Sequence, residues 1–169
     1  MQKTEHRPPV YHGHMLAPRF SAGFLSPLGW VQVEAMERGL ASVSFQEEKV
    51  RTDDVLPDFL KDAVTQLEEY FAGKRKRFEV LPLAIAATDF QDRVWSAASG
   101  ISFGETATYG DLAKSVQSPD AARAVGTALS RNPLVIIVPC HRIIPSTGEY
   151  GEYAGGAWRK EWLLKHERV

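Results

Sequence analysis

Leu134-Val135-Ile136-Ile137-Val138-Pro139-Cys140-His141-Arg142 contains the only cysteine of the 169-residue chain. Five large apolar residues, four of them β-branched, predict a short buried strand, and proline ends it because it has no N–H to give to a ladder. Cys140 is then expected on the turn leaving the sheet, where backbone N–H groups can face a reacting atom. A lone thiol cannot close an intramolecular disulfide, which leaves inert packing or reactivity. His141 is the immediate neighbour, and a nearby base or cation can lower a thiol pKa from about 8.5 towards neutrality. Adjacent residues on an extended segment point opposite ways, so contact between the two needs the turn or a bridging water. A buried structural cysteine beside an unrelated histidine fits the dipeptide equally well.

A wider window decides between these readings. Asn132-Pro133 precedes the apolar run. Ile143-Ile144-Pro145, Gly148 and Tyr153-Ala154-Gly155-Gly156 follow the cysteine, and Arg159-Lys160-Glu161-Trp162-Leu163-Leu164-Lys165-His166-Glu167 comes after them. This pattern closely resembles the O6-alkylguanine-DNA alkyltransferases, suicide proteins that take an alkyl group from a damaged base onto their own cysteine. The resemblance is strong over residues 88–167 and weaker over 20–76.

Composition sets outer bounds. A hydrophobic content of 44% is enough to fill a core. No apolar run approaches a membrane span, and Glu5, His6, Arg7 and two prolines leave no room for a signal-peptide core, so a cytoplasmic protein is expected. A single cysteine fits a reducing compartment. Net charge is −1, with eleven Lys/Arg against thirteen Asp/Glu before residue 90 and nine against eight after it. Any DNA contact must therefore come from local arrangement rather than bulk charge.

Three segments are expected: a leader at 1–19, an N-terminal α/β domain and linker at 20–87, and a DNA-binding and alkyl-acceptor domain at 88–169. The leader carries His6, His12 and His14, which lack any cysteine partner at zinc-site spacing. Some relatives hold zinc with N-terminal cysteines; this chain has none there, so neither metal nor cofactor is expected. Residues 20–45 predict a small antiparallel sheet, interrupted by Ser26-Pro27-Leu28-Gly29 and Glu37-Arg38-Gly39. Apolar residues at helical spacing predict a helix over 58–71, ended by Gly73. Lys74-Arg75-Lys76-Arg77 then reads as charge complementing the helix dipole on a solvated surface. Residues 81–87 read as a linker, and Thr88 or Asp89 can cap the next helix. The fold class is α+β: a small sheet with a helix, ribonuclease-H-like, then a mostly helical, winged-helix-like part.

That second part is expected to hold a helix-turn-helix. One helix covers 109–116, Ser118-Pro119-Asp120 turns the chain, and a second covers 121–130 with Ala122, Val125 and Leu129 inward. The small residues of the second helix suit either a narrow groove or tight packing between helices. The resemblance selects the groove. It implies that Ala122, Arg123, Ala124 and Gly126 belong to a recognition helix in the DNA minor groove, Arg123 entering the base stack as the damaged nucleotide rotates out.

The resemblance also distributes the chemistry. Cys140 is the acceptor, His141 takes its proton through a water, Glu167 orients His141, and Tyr109 donates a proton to the base. Asn132 braces the cysteine turn, Ile143 and Tyr153 line the pocket, and Ala154 and Gly155 offer backbone N–H groups to the O6 edge. Many relatives have serine in place of Ala154. Glu167 has independent support, since it follows Leu163 and Leu164 by four and three residues and so lies on or beside the apolar face. A carboxylate there needs a partner. His166, in a polar stretch, reads as a surface residue. The glycine-rich loop 145–156 reads as a pocket wall or lid.

The expected partner is double-stranded DNA carrying O6-alkylguanine, met by a monomer, with cooperative assembly on DNA left open. Two other classes compete. A cysteine hydrolase would use a similar triad, and a non-catalytic damage sensor would use the same fold. Related sensors lack the motif's cysteine, and Cys140 is present.

Overall fold

Val31, Val33 and Ala35 are buried while their neighbours are wetter, the alternation of a strand with one covered face. This strand, β2 (Gly29–Met36), pairs antiparallel with β1 (Phe20–Ser26) and β3 (Gly39–Gln46) in the order β1-β2-β3. Gly29, with φ 98°, closes the first hairpin in a conformation a side chain would resist. The computed structural model describes residues 20–168, so the leader and its histidines lie outside the described residues.

Helix α1 (Asp58–Phe71) has the bounds its apolar spacing predicts and buries Leu60, Ala63, Leu67 and Tyr70. Gly73, with φ 73°, follows its end, and Arg75 pairs with Glu69 at 2.7 Å. Residues 81–87 do not run free as a linker. Leu40 N–H donates to Pro82 O and Ala84 N–H to Leu40 O, both at 2.8 Å, so the segment borders β3.

Helix α2 (Asp89–Ser99) opens on a capping box between Thr88 and Gln91, and α3 (Tyr109–Ser115) on one between Thr108 and Asp111. Helix α4 (Ala122–Ser130) starts one residue later than expected. Trp95 Nε1 donates to Ala128 O at 2.9 Å and fastens α4 to α2. Two short strands, β4 (Ala107–Thr108) and β5 (Ile143–Ile144), pair in parallel, and α5 (Ala157–Glu167) ends the described chain. One hydrophobic core runs from the sheet through α1 to α5. Among the described residues no helix is long and apolar enough to cross a membrane.

The predicted strand over 134–138 is a correction. Leu134 and Val135 bridge to β3, with Val43 N–H donating to Pro133 O at 2.8 Å and Val135 N–H to Val43 O at 3.2 Å. The chain then reverses, and Val138 N–H returns to Leu134 O at 2.9 Å. The reversal puts Ile136 at φ 71°, strained for a β-branched residue. Burial of Leu134 and Ile136 holds the turn in place.

Candidate active site

Asn132 organises the turn that carries the thiol. Its Oδ1 accepts from Leu134 N–H at 2.9 Å, while its Nδ2 donates to Val138 O at 2.9 Å and to Cys140 Sγ at 3.2 Å. Cys140 opens a single 3-10 turn, Cys140–Arg142, so Cys140 and His141 are not on an extended segment. Burial pushes the Cys140 thiol above its ordinary pKa, although the Asn132 bond and the Lys160 charge pull the other way. The sequence-based expectation of a depressed thiol pKa is therefore reversed. The resting group is the neutral thiol, and ionisation must be driven by a base.

Glu167 and His141 have defined protonation states. Glu167 Oε1 accepts from Tyr70 Oη at 2.7 Å and Arg142 Nη2 at 3.0 Å, and Oε2 accepts from Arg142 Nε at 2.9 Å. Burial raises the Glu167 pKa, but hydrogen bonds from His141 and Arg142, with the Arg142 charge, outweigh it and hold the carboxyl down at about 2. An ionised carboxylate only accepts, so His141 Nε2, 2.7 Å from Oε1, carries the proton. Burial also pushes the His141 pKa down, against the pull of Glu167, which keeps the imidazole neutral. Nδ1 is then a bare lone pair, buried and without a hydrogen-bond partner among the described residues.

Cys140 forms part of the lining of a cavity of about 570 Å³. Tyr109, Ala122, Arg123, Gly126 and Thr127 line it from α3 and α4, and Glu152, Tyr153 and Ala154 from the glycine-rich loop. Arg123 is exposed at the rim. Burial, then the nearby Cys140 and Glu152, push the Tyr109 hydroxyl above its ordinary pKa, so it stays protonated and able to donate. The Tyr153 hydroxyl is buried with no hydrogen-bond partner among the described residues. Ala124 is exposed on α4 but outside this lining. Asn132, Ile143 and Gly155 are not part of this lining: Ile143 is fully buried, and a Cβ on Gly155 would sit 2.9 Å from the Phe45 ring.

Known proteins share this arrangement of chain. Residues 89–169 match the family model described as the 6-O-methylguanine DNA methyltransferase DNA binding domain, and residues 23–85 match the model of its ribonuclease-like domain. A methylated-DNA–protein-cysteine methyltransferase of Methanosarcina acetivorans is 45% identical over 88% of this chain and 97% of its own. The chain belongs to the 6-O-methylguanine DNA methyltransferase family. The crystal structure of the Mycobacterium tuberculosis O6-methylguanine methyltransferase aligns with a TM-score of 0.78 at 39% identity, over 88% of this chain and 92% of that one. A Mycobacterium tuberculosis structure in complex with DNA aligns at 0.77 and 41%, over 86% and 91%.

Within this methyltransferase framework, several residues escaped the sequence reading. Tyr70 lay on the predicted buried face of α1, but spacing gave no sign of its partner Glu167. Lys160 is buried in α5, its Nζ donating to Ile143 O at 2.6 Å and Glu152 O at 3.3 Å, and burial lowers its pKa to about 8. Arg159 lies between Phe45 and Trp158 and donates to Leu28 O and Gly155 O, tying the glycine-rich loop to the first hairpin. His166 is a further correction. It stacks on Trp162 with ring centres 4.7 Å apart and bonds the Tyr70 carbonyl, because α5 docks against α1 instead of facing water.

Proposed function

We propose that Cys140 is the acceptor in the reaction this chain performs, transfer of an alkyl group from DNA to the protein's own cysteine. The observation that carries the assignment is the shared cavity: the chain's one thiol, a protonated tyrosine and the arginine-bearing helix α4 all line it. The substrate is O6-alkylguanine in duplex DNA, with O4-alkylthymine a poorer one, and a monomer acts from the minor groove. An O6-alkyl carbon inside a duplex is out of reach of a protein sulfur, so the base must leave the stack at a cost of a few kcal/mol. Arg123 offsets part of that cost by filling the gap, while Ala122, Ala124 and Gly126 let α4 approach the groove closely.

The chemistry then follows from the site. His141 Nδ1 takes the thiol proton through a water, and Glu167 stabilises the imidazolium that results. The sulfur attacks the alkyl carbon, the C–S bond forms as the C–O6 bond breaks, and the electron pair returns to guanine. Tyr109 supplies a proton to the leaving base and regains one from the His141 imidazolium, so the net reaction moves one proton from sulfur to guanine. Tyr153, Ala154 and Gly155 hold the base, and Asn132 and Ile143 hold the turn beneath it. A cysteine hydrolase would need an ester that water can open, whereas the product here is a thioether.

Arg123 separates extrusion from chemistry. Arg123→Ala should slow repair of a duplex by at least about tenfold while leaving the reaction with free O6-benzylguanine, which needs no extrusion, within about twofold. Single-turnover rates on both substrates check this, and equal slowing would assign Arg123 to pocket folding.

A further inference from the structure

Near the end of α1 the sequence Leu67-Glu68-Glu69-Tyr70-Phe71 turns a tyrosine inward, with no exposure at all. A phenol buried that deeply needs a hydrogen-bond partner. Tyr70 finds it 97 residues away, on Glu167 Oε1. This oxygen also receives His141 Nε2–H, so donors from α1 and from the cysteine turn converge on one carboxylate atom at 2.7 Å each. Tyr70 holds the preceding residue as well. Its carbonyl bonds His166 Nε2 at 2.8 Å, and its ring meets the His166 and Phe103 rings edge-on.

We propose that Tyr70 is a positioning residue for alkyl transfer: its hydroxyl fixes the Glu167 carboxylate and sets how strongly that carboxylate supports a proton on His141. This rests on the assignment of His141 and Glu167 as the proton relay. Oε1 is shared by Tyr70, His141 and Arg142 Nη2, and each added donor leaves less of it for the others, so Tyr70 restrains the basicity of His141 while Arg142, which also bonds Oε2, keeps the carboxylate in place. Burial, then the Glu167 charge, push the Tyr70 hydroxyl far above its ordinary pKa, so it remains a donor throughout the working range. The other titratable or charged groups around the cluster are Arg142 on the cysteine turn, His166 and Lys160 on α5, and Tyr153 on the glycine-rich loop. Tyr70→Phe leaves all of them in place and removes one oxygen. Through this bond the sheet-bearing half of the chain reaches the carboxylate that holds His141.

Labelling of Cys140 by free O6-benzylguanine in a single turnover, followed across the range in which histidine titrates, isolates this effect from DNA binding. Without the phenol the carboxylate draws harder on His141, and the acid limb of the rate profile should move up by about half a pH unit. Replacing Tyr70 with 3-fluorotyrosine, a stronger donor of nearly the same volume, should move it down. In a Glu167→Gln background Tyr70→Phe should add no displacement, because its route through the carboxylate is gone. A Tyr70→Phe profile that superposes on wild type, or an equal displacement in both backgrounds, would overturn the role of Tyr70 alone. If Tyr70→Phe does not fold, the fluorotyrosine protein decides, its downward shift supporting the role and an unmoved limb overturning it. A wild-type protein not labelled at Cys140, or a Glu167→Gln profile with an unmoved acid limb, would overturn the relay and this role together.

Discussion

A thiol that burial makes less acidic is well suited to an acceptor used once. Burial raises the Cys140 pKa and favours the protonated thiol, the form less prone to oxidation and stray alkylation. Its partners follow the same logic of fixed protonation states, Glu167 ionised and His141 neutral. These states make acid stability predictable. The Glu167 pKa falls from an ordinary 4.5 to about 2 on folding, so its contribution is full above 4.5 and is lost as pH drops towards 2. A shift of that size corresponds to about 3 kcal/mol. The His141 pKa is lowered by folding too, so the unfolded chain takes up a proton first as pH falls through 6.5, and stability drops there as well. Glu167→Gln should therefore be less stable than wild type at neutral pH and should converge with it below pH 4.5. Urea midpoints measured against pH check the convergence; a constant gap would show that the carboxylate is not ionised in the folded state.

At the scale of elements, α4 combines a buried face, Val125, Ala128 and Leu129, with a cavity face that includes Ala122, Arg123 and Gly126. A Cβ on Gly126 would meet Tyr109 at 3.7 Å, ordinary contact, and the helix itself would welcome it. Gly126→Ala is thus expected to stabilise the protein by up to about 1 kcal/mol in thermal unfolding while slowing duplex repair, since the added methyl narrows the wall that faces the extruded base. Slower repair with lower stability would instead mean that the position is a packing site. The helices were legible because their periodicity and caps are local: α1 had the bounds its apolar residues predict, and Thr88 caps α2. The run 134–138 was not, because β-branched residues in a buried turn spell the same apolar word as a strand. What makes it a turn is Asn132 reaching forward to Val138, together with β3 beside it. Neither contact leaves a trace in hydrophobic pattern.

For the molecule as a whole, the motif from Asn132 to Glu167 was readable because its chemistry lies close in sequence; of the residues it names, Tyr153 and Ala154 line the cavity with Cys140, whereas Ile143 and Gly155 do not. The contacts that join the two halves were not readable. Tyr70 to Glu167, Arg159 to Leu28 and Val43 to Pro133 each span a separation over which spacing says nothing about proximity. They hold the cysteine turn, the glycine-rich loop and α5 against the sheet, while the cavity itself is lined by residues 109–154 alone. What that cavity can do only once is set by bond type. An alkyl group on Cys140 sulfur is a thioether, and no group in the site can activate its C–S bond for hydrolysis.

Titration of the protein with excess O6-methylguanine duplex tests this account most directly. It predicts a burst of repair equal to the concentration of active protein, followed by no further repair, with one methyl group retained on the peptide containing Cys140. Sustained repair beyond one equivalent, with unmodified Cys140 recovered at the end, would contradict it.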